Sequence, residues 1–292
     1  MTLRHLKIFV TVCDTLNMTA SAELLYMTQP AVSQAIAELE EHYEVRLFER
    51  LSRKLFLTAP GRELMGYARH MIRMSIEAEH AMKSLKTDGS LRVGASVTVG
   101  GYVLPGLVRR FREDNPGTEI VAVENNTEMI ERMVVRDEID IGLVEGELTS
   151  AELVAYPFLQ DELVIVCPPD HRFARGGRIE PHELEGEPFI IREPGSGTRK
   201  TFEQAMAGCR VSWKAAWTCS NTDTIKMAVA EGIGIAALSR LAVQHEISAG
   251  RLCEVAVRDL KFDRRFRVIY HKNKFFTEVM KRFTDLCGVI GD

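Results

Sequence analysis

Three turns in the C-terminal two-thirds of the chain carry side chains suited to holding a small anion. ASVTVGG, residues 95–101, places Ser96, Thr98 and Gly100 after a short β-branched run. EPGSGTRK, residues 193–200, places Ser196, Gly197, Thr198 and Arg199 where a helical pattern opens. CSNTDT, residues 219–224, places Asn221 and Thr222 before another. A helix start offers unpaired N–H groups and the positive end of its dipole, and both favour anions. Arg192 or Arg199 would add a cation, so the set suits an oxyanion, a phosphate or a carboxylate. Taken singly, each turn reads as ordinary capping by Ser, Thr or Asn. Only convergence on one cleft would make a site of them.

A second chemistry sits near the N-terminus, in MTQPAVSQAI, residues 27–36. The apolar spacing is helical, yet Pro30 stands inside it, and an interior proline costs roughly 3 kcal/mol. Proline is tolerated in the first turn, so the helix begins here with Thr28 as its cap. Ala31, Val32, Ile36 and Leu39 form its expected buried stripe. A shorter helix, residues 19–25, precedes it across a tight break at Tyr26–Met27, with Asn17 or Thr19 as cap. The helix before that, residues 3–16, sets Leu3, Leu6, Phe9, Val10 and Cys13 on one face. Two helices joined by a tight turn, the second opening on small and polar residues, make a helix-turn-helix. The start of the second helix then enters the major groove of double-stranded DNA. Gln29, Ser33 and Gln34 can contact bases or backbone, and Pro30 can pack on a base or sugar.

Residues 45–58 read as two short strands around LSRK, a wing. Residues 1–62 hold seven basic and seven acidic side chains, but within 46–62 five basic residues meet one acidic. The positive patch is therefore local, and Arg50, Arg53 and Lys54 suit phosphate contacts that orient a duplex without reading it. The whole chain carries a net charge of −4, which excludes general basicity as the route to nucleic acid.

Other chemistries lack their motifs. No paired catalytic carboxylates, G-x-S-x-G, H-E-x-x-H or nucleotide loop is present; GSGT is not followed by G-K-[ST]. The eight histidines show no metal spacing, and the six cysteines contain no C-x-x-C pair. The expectation is a non-enzyme with no metal and no cofactor. Cys209 and Cys219 could pair only if the fold brought their Cα atoms within roughly 7 Å. With no apolar run approaching membrane-spanning length, a cytoplasmic protein is expected.

The run from Asn17 to Gly61 resembles the winged helix-turn-helix of LysR-type transcriptional regulators. Thr19, Ala22, Leu24, TQPAVSQAIAELE (28–40), LFER (47–50), Arg53 and Leu57–Thr58 carry the likeness. Two residues depart from that pattern: Glu44 stands where the family has glycine at a turn, and Phe56 where it has a basic wing residue. The resemblance covers essentially the whole chain.

The elements that must position these residues follow. Leu64, Ala68, Met71, Ser75, Ala78, Met82 and Leu85 recur at spacings of four and three, an a/d seam interrupted only by Gly66 nearby. This helix either dimerises or packs on its own domain; beside a DNA reader, dimerisation is expected, and the resemblance implies the same. The expected organisation is a DNA-binding domain at 1–60, a linker helix at 61–85, a hinge at 86–90 and an effector domain at 91–292. Alternating strands and helices after residue 91 argue an α/β fold with a parallel sheet, and the pattern restarts near residue 188. The resemblance implies a bilobed, periplasmic-binding-protein-like domain with two Rossmann-like lobes. Lobe one is 91–161 plus 271–292, lobe two 168–264, and crossovers lie near 162–167 and 265–270. REPGSGTRKTFE (192–203) further resembles the branch that governs sulfur assimilation or carbon fixation.

The implied function is a sequence-specific regulator, a homodimer or homotetramer, that meets RNA polymerase at the promoter. A small anionic effector, a sulfur oxyanion or related metabolite, would alter its bend in DNA. Two alternatives stay open: a constitutive DNA-architectural protein, and a regulator answering to a phosphorylated sugar or organic acid.

Overall fold

The computed structural model of the protein describes residues 1–51, 54–83, 89–175 and 177–288. Arg53, most of the expected hinge and Leu85 of the expected seam lie outside them. The chain divides into two units, Met1–Thr87 with Asn273–Phe275, and Asp88–Lys272 with Phe276–Asp292.

In the first unit, α1 (Leu3–Thr15), α2 (Met18–Leu24) and α3 (Gln29–Tyr43) precede a two-stranded wing, β1 (Phe48–Leu51) and β2 (Lys54–Leu57), and the long α4 (Ala59–Lys83). Asn17 caps α2 by accepting from the amides of Thr19 and Ala20. Tyr26, with φ of 54°, makes the break, and α3 starts at once with Pro30 in its first turn. The buried face of α3 is Val32, Ala35, Ile36 and Leu39; Ala31 is exposed instead, on the side that carries Pro30 and Gln34. On α1, Leu3 is exposed, while Ile8 and Val12 join the buried face because they meet α3 and α4.

Glu44 closes α3 in the left-handed region, φ 54° and ψ 33°. A non-glycine residue there costs roughly 1–2 kcal/mol, of which glycine's extra unfolded-state entropy returns about 0.5–1 kcal/mol. Glu44→Gly should therefore stabilise the protein by roughly 0.5–1 kcal/mol in a denaturant titration. An unchanged or lowered midpoint would show that the glutamate side chain offsets the strain.

The seam on α4 divides. Ala68 is fully buried and Leu64 and Met71 pack with it in the unit's own core. Among the described residues, the large apolar side chains α4 leaves exposed are Tyr67, Met74 and Ile76. The helix also begins at Ala59, two residues before the expected start at 61, with Pro60 in its first turn.

The second unit opens with β3 (Ser90–Ser96), α5 (Val97–Tyr102), α6 (Leu104–Asp114), β4 (Glu119–Asn125), α7 (Thr127–Val135) and β5 (Ile141–Glu145). The long β6 (Leu153–Cys167) leads to β7 (Pro188–Arg192), α8 (Gly197–Gly208), β8 (Lys214–Cys219), α9 (Thr222–Ala230), β9 (Ala236–Ser239), α10 (Arg240–Ser248) and β10 (Cys253–Val255). The equally continuous β11 (Asp263–His271) and α11 (Glu278–Leu286) follow. β3 pairs parallel with β4 and β5, and β7 parallel with β8. β11 runs antiparallel to both β5 and β6, so the sheet is mixed rather than parallel.

β6 pairs with β11 up to Glu162 and with β9 from Leu163, passing from one lobe to the other at that point. Each lobe has its own apolar core. One is built on Val93, Phe111, Leu143, Phe266 and Phe283, the other on Ile165, Phe189, Phe202, Met206 and Ile235. All six cysteines are free. Burial pushes the thiols of Cys13, Cys167 and Cys287 up to about 12, so they stay protonated and unreactive.

Candidate functional site

Two surfaces carry chemistry, one in each unit. In the first, α3 presents Thr28, Pro30, Ala31 and Gln34 to solvent, with Gln29 and Ser33 half-buried beside them. Thr28 occupies the cap position but makes no side-chain cap hydrogen bond. Gln29 Nε2 donates to Ser33 Oγ at 2.7 Å, and Gln34 Nε2 to Glu38 Oε1 at 3.1 Å. Gln29 and Gln34 are thus each tied to a side chain one helical turn further along α3. Gln29, Arg50, Lys54 and Phe56 line a groove of about 640 Å³ that Asn17 and Thr19 close from α2. Arg50 and Lys54 are both exposed on the wing.

A residue that the sequence reading passed over orients the wing. Glu40, on α3, accepts the amides of Leu47 at 2.8 Å and Phe48 at 3.1 Å through Oε1, and pairs with Arg46 through Oε2. Hydrogen bonds to a charged acceptor contribute about 1.5–3 kcal/mol. Glu40→Ala should lower stability by about 2–3 kcal/mol. It should also speed amide exchange at Leu47 and Phe48; unchanged exchange there would assign the wing's position to the apolar core alone.

In the second unit two of the predicted hydroxyls, those of Ser96 and Thr198, meet from the two lobes, and they meet on a carboxylate. Glu145 ends β5 and is buried. Its Oε2 accepts from Ser96 Oγ, at the end of β3, and its Oε1 accepts from Thr198 Oγ1, in the first turn of α8, at 3.3 Å. Thr198 Oγ1 accepts in turn from Arg264 Nη1 at 2.9 Å, and that nitrogen lies 3.8 Å from Glu145 Oε1. Arg264 Nε donates to Asp161 Oδ2 at 2.6 Å, and Ser239 donates to Asp161 Oδ1 at 2.8 Å. Arg264 and Asp161 face each other across the paired strands β11 and β6. Arg264 Nη2 is buried with no hydrogen-bond partner.

Gly197 is held here by close approach: a Cβ would lie 2.4 Å from the Glu145 carbonyl oxygen and 2.8 Å from Thr127 Oγ1. Its amide donates to Thr127 Oγ1 at 3.2 Å, which ties the start of α8 to the start of α7.

The remaining candidates make other contacts. Thr98 is buried in the first turn of α5, and Ser196 is buried as the cap of α8, accepting from the Arg199 amide. Thr222 is buried at the start of α9 and its Oγ1 has no partner. Gly100 packs under Glu124, and the exposed Asn221 caps α9. Burial raises the Glu124 pKa against the pull of Arg192. Arg199 is engaged with Glu203 at 2.7 Å, and Arg192 with Glu193 at 2.8 Å. The guanidinium at the centre is that of Arg264, which the sequence reading did not single out. Lys226, on α9, also reaches Tyr102 Oη on α5 at 3.2 Å. Burial alone would lower its pKa, but hydrogen bonds to Asp223, Tyr102 and Glu246 outweigh burial and raise it. Among the described residues no helix is long and apolar enough to cross a membrane, and no cluster of metal-ligating side chains occurs.

Comparison with known proteins identifies the two parts of the chain. Residues 3–62 match the bacterial regulatory helix-turn-helix protein, lysR family, and residues 86–288 match the LysR substrate binding domain. The HTH-type transcriptional regulator YeiE of Escherichia coli is 34% identical over 286 residues, 98% of this chain and 97% of that protein. CbbR of Rhodospirillum rubrum is 34% identical over 279 residues, 95% and 92% of the two chains. The regulatory domain of Synechocystis CcmR, solved in complex with 2-PG, superimposes with a TM-score of 0.65 at 28% identity. It covers 68% of this chain and 96% of its own. The helix-turn-helix, the two-lobed mixed sheet of periplasmic-binding-protein type and these matches agree: the chain belongs to the LysR family of bacterial transcriptional regulators, with an N-terminal DNA-binding unit and a C-terminal effector-binding domain.

Proposed function

We propose that the cleft around Glu145 and Arg264 binds a small oxyanion, a sulfur oxyanion or a related metabolite, and that its occupancy changes how the protein bends promoter DNA. The observation that carries this reading is the meeting of Ser96, from one lobe, with Thr198 and Arg264, from the other lobe and a crossing strand, at one buried point. A ligand there touches both lobes at once and therefore biases their relative position. On the DNA, Thr28, Gln29, Pro30, Ser33 and Gln34 read bases while Arg50, Arg53 and Lys54 hold phosphates. The exposed Tyr67 and Met74 on α4, seven residues apart, offer a seam for a homodimer. Pairs of dimers would make the homotetramer, acting in the cytoplasm beside RNA polymerase.

The test is thermal stabilisation of the full-length protein by sulfite, sulfate, thiosulfate, phosphate, O-acetylserine, phosphorylated sugars and 2-PG. Ligand at 100 times its dissociation constant adds about 2.7 kcal/mol. Thr98→Ala and Thr198→Ala should each lose that shift, and with it the ligand-dependent change in DNA footprint, while DNA binding persists. A full response in both variants would remove the cleft from consideration. A shift with none of these compounds, together with an unchanging footprint, would favour a constitutive architectural protein.

A further inference from the structure

We infer that Glu145 selects the protonation state of the effector: the cleft takes an oxyanion that still carries a proton, and rejects the same kind of anion when fully deprotonated. The inference rests on the oxyanion reading of this cleft and deepens it.

A hydroxyl has one proton to give. Ser96 gives its proton to Glu145 Oε2 and Thr198 gives its own to Oε1. Both hydroxyls therefore turn lone pairs, not protons, toward anything else that enters. The charges point the same way. Arg264 is the one cation in the connected group, against the carboxylates of Glu145 and Asp161. A fully deprotonated dianion such as sulfate would meet a carboxylate it can only repel, with no hydroxyl proton left to bind it.

The same group leaves one donor open. Arg264 Nη2 is buried and lacks a partner, although Nε and Nη1 of that guanidinium are bonded. A buried N–H without an acceptor is costly, and it marks where an oxygen belongs. One carboxylate acceptor and one unmatched guanidinium donor form a complementary pair. Their ligand has an O–H on one side and an anionic oxygen on the other. Hydrogen sulfite and hydrogen phosphate have both near neutral pH; sulfate has only the second.

Gly197 fixes the pair in place, since a side chain there would overlap the Glu145 backbone. The groups that face Glu145 are Ser96 from β3, Thr127 from α7, Thr198 from α8 and Arg264 from β11. Of these only Arg264 is charged, and an arginine does not titrate in the physiological range. Sulfite gives up its own proton across neutral pH, so its fit to this acceptor and donor changes with pH.

The experiment is calorimetric titration of the full-length protein with sodium sulfite, phosphate and sulfate, from mildly acidic to mildly basic pH. Sulfite should bind at least about tenfold tighter than sulfate. That preference should shrink as the pH rises and sulfite loses its proton. Glu145→Gln replaces the acceptor by an amide that can donate, and it should bring sulfate up to the level of sulfite or past it. Equal affinities for sulfite and sulfate in the wild type overturn the inference while leaving the oxyanion reading intact. A preference that ignores pH, or that survives in a folded Glu145→Gln, overturns it too. Binding of no oxyanion by the wild type removes both readings together. Should Glu145→Gln not fold, the pH series on the wild-type protein decides alone.

Discussion

Arg264→Met should be the most damaging single change in the effector domain, costing about 3–5 kcal/mol. Its guanidinium lies between two buried carboxylates, 2.6 Å from Asp161 and 3.8 Å from Glu145, and all three side chains are within a few per cent of full burial. Methionine fills much of the same volume, so the loss is electrostatic rather than a cavity. It leaves two uncompensated charges where water does not reach. For a domain of this size the cost should appear as a fall in melting temperature on the order of ten degrees. Adding Glu145→Gln to Arg264→Met should recover part of the loss, because the two residues share one network and their effects do not add. A melting temperature within a few degrees of wild type would show the guanidinium to be dispensable.

Legibility in the sequence follows the range of the interactions. The helix-turn-helix is fixed by neighbours in the chain: the Asn17 cap, the break at Tyr26, Pro30 in a first turn. Each such signal spans a few residues, so it can be read locally. The hydroxyls of Ser96 and Thr198 could be placed at helix starts for the same reason. Their partner could not. Glu145 closes the apolar run IDIGLVE and reads as the polar end of a strand; only the topology sets it against α8, more than fifty residues on. Arg264 and Asp161 are about a hundred residues apart and become neighbours through the β11–β6 register.

Helix α4 shows the converse problem. Its apolar period of three and four was clear, but periodicity cannot say which neighbour covers which stripe. The first turns of the expected seam went to the domain's own core, leaving Tyr67 and Met74 outside.

On the DNA side, Gln29→Ala and Arg50→Ala should fail in different ways. Gln29 stands at the first position of α3, at the mouth of the groove that Arg50 and Lys54 flank. A glutamine that gives up its bond to Ser33 can offer its amide to an adenine edge, and a paired contact of that type discriminates by about 1–3 kcal/mol. Gln29→Ala should therefore lower affinity for the preferred site toward that for its variants, with little change in salt dependence. Arg50 is exposed on β1, in the wing rather than on α3. Arg50→Ala should weaken binding to all sequences by a similar factor and reduce the slope of log affinity against log salt by about one. Competition binding on a site and its point variants, repeated at several salt concentrations, separates the two. If Arg50→Ala changed preference while Gln29→Ala changed only the salt slope, the roles would be reversed, and the wing would be the element that reads sequence. The bond between Gln29 and Ser33 sharpens the comparison. Ser33→Ala removes the partner that holds Gln29 in the free protein. If the two act as one reading unit, the double variant should cost no more than Gln29→Ala alone.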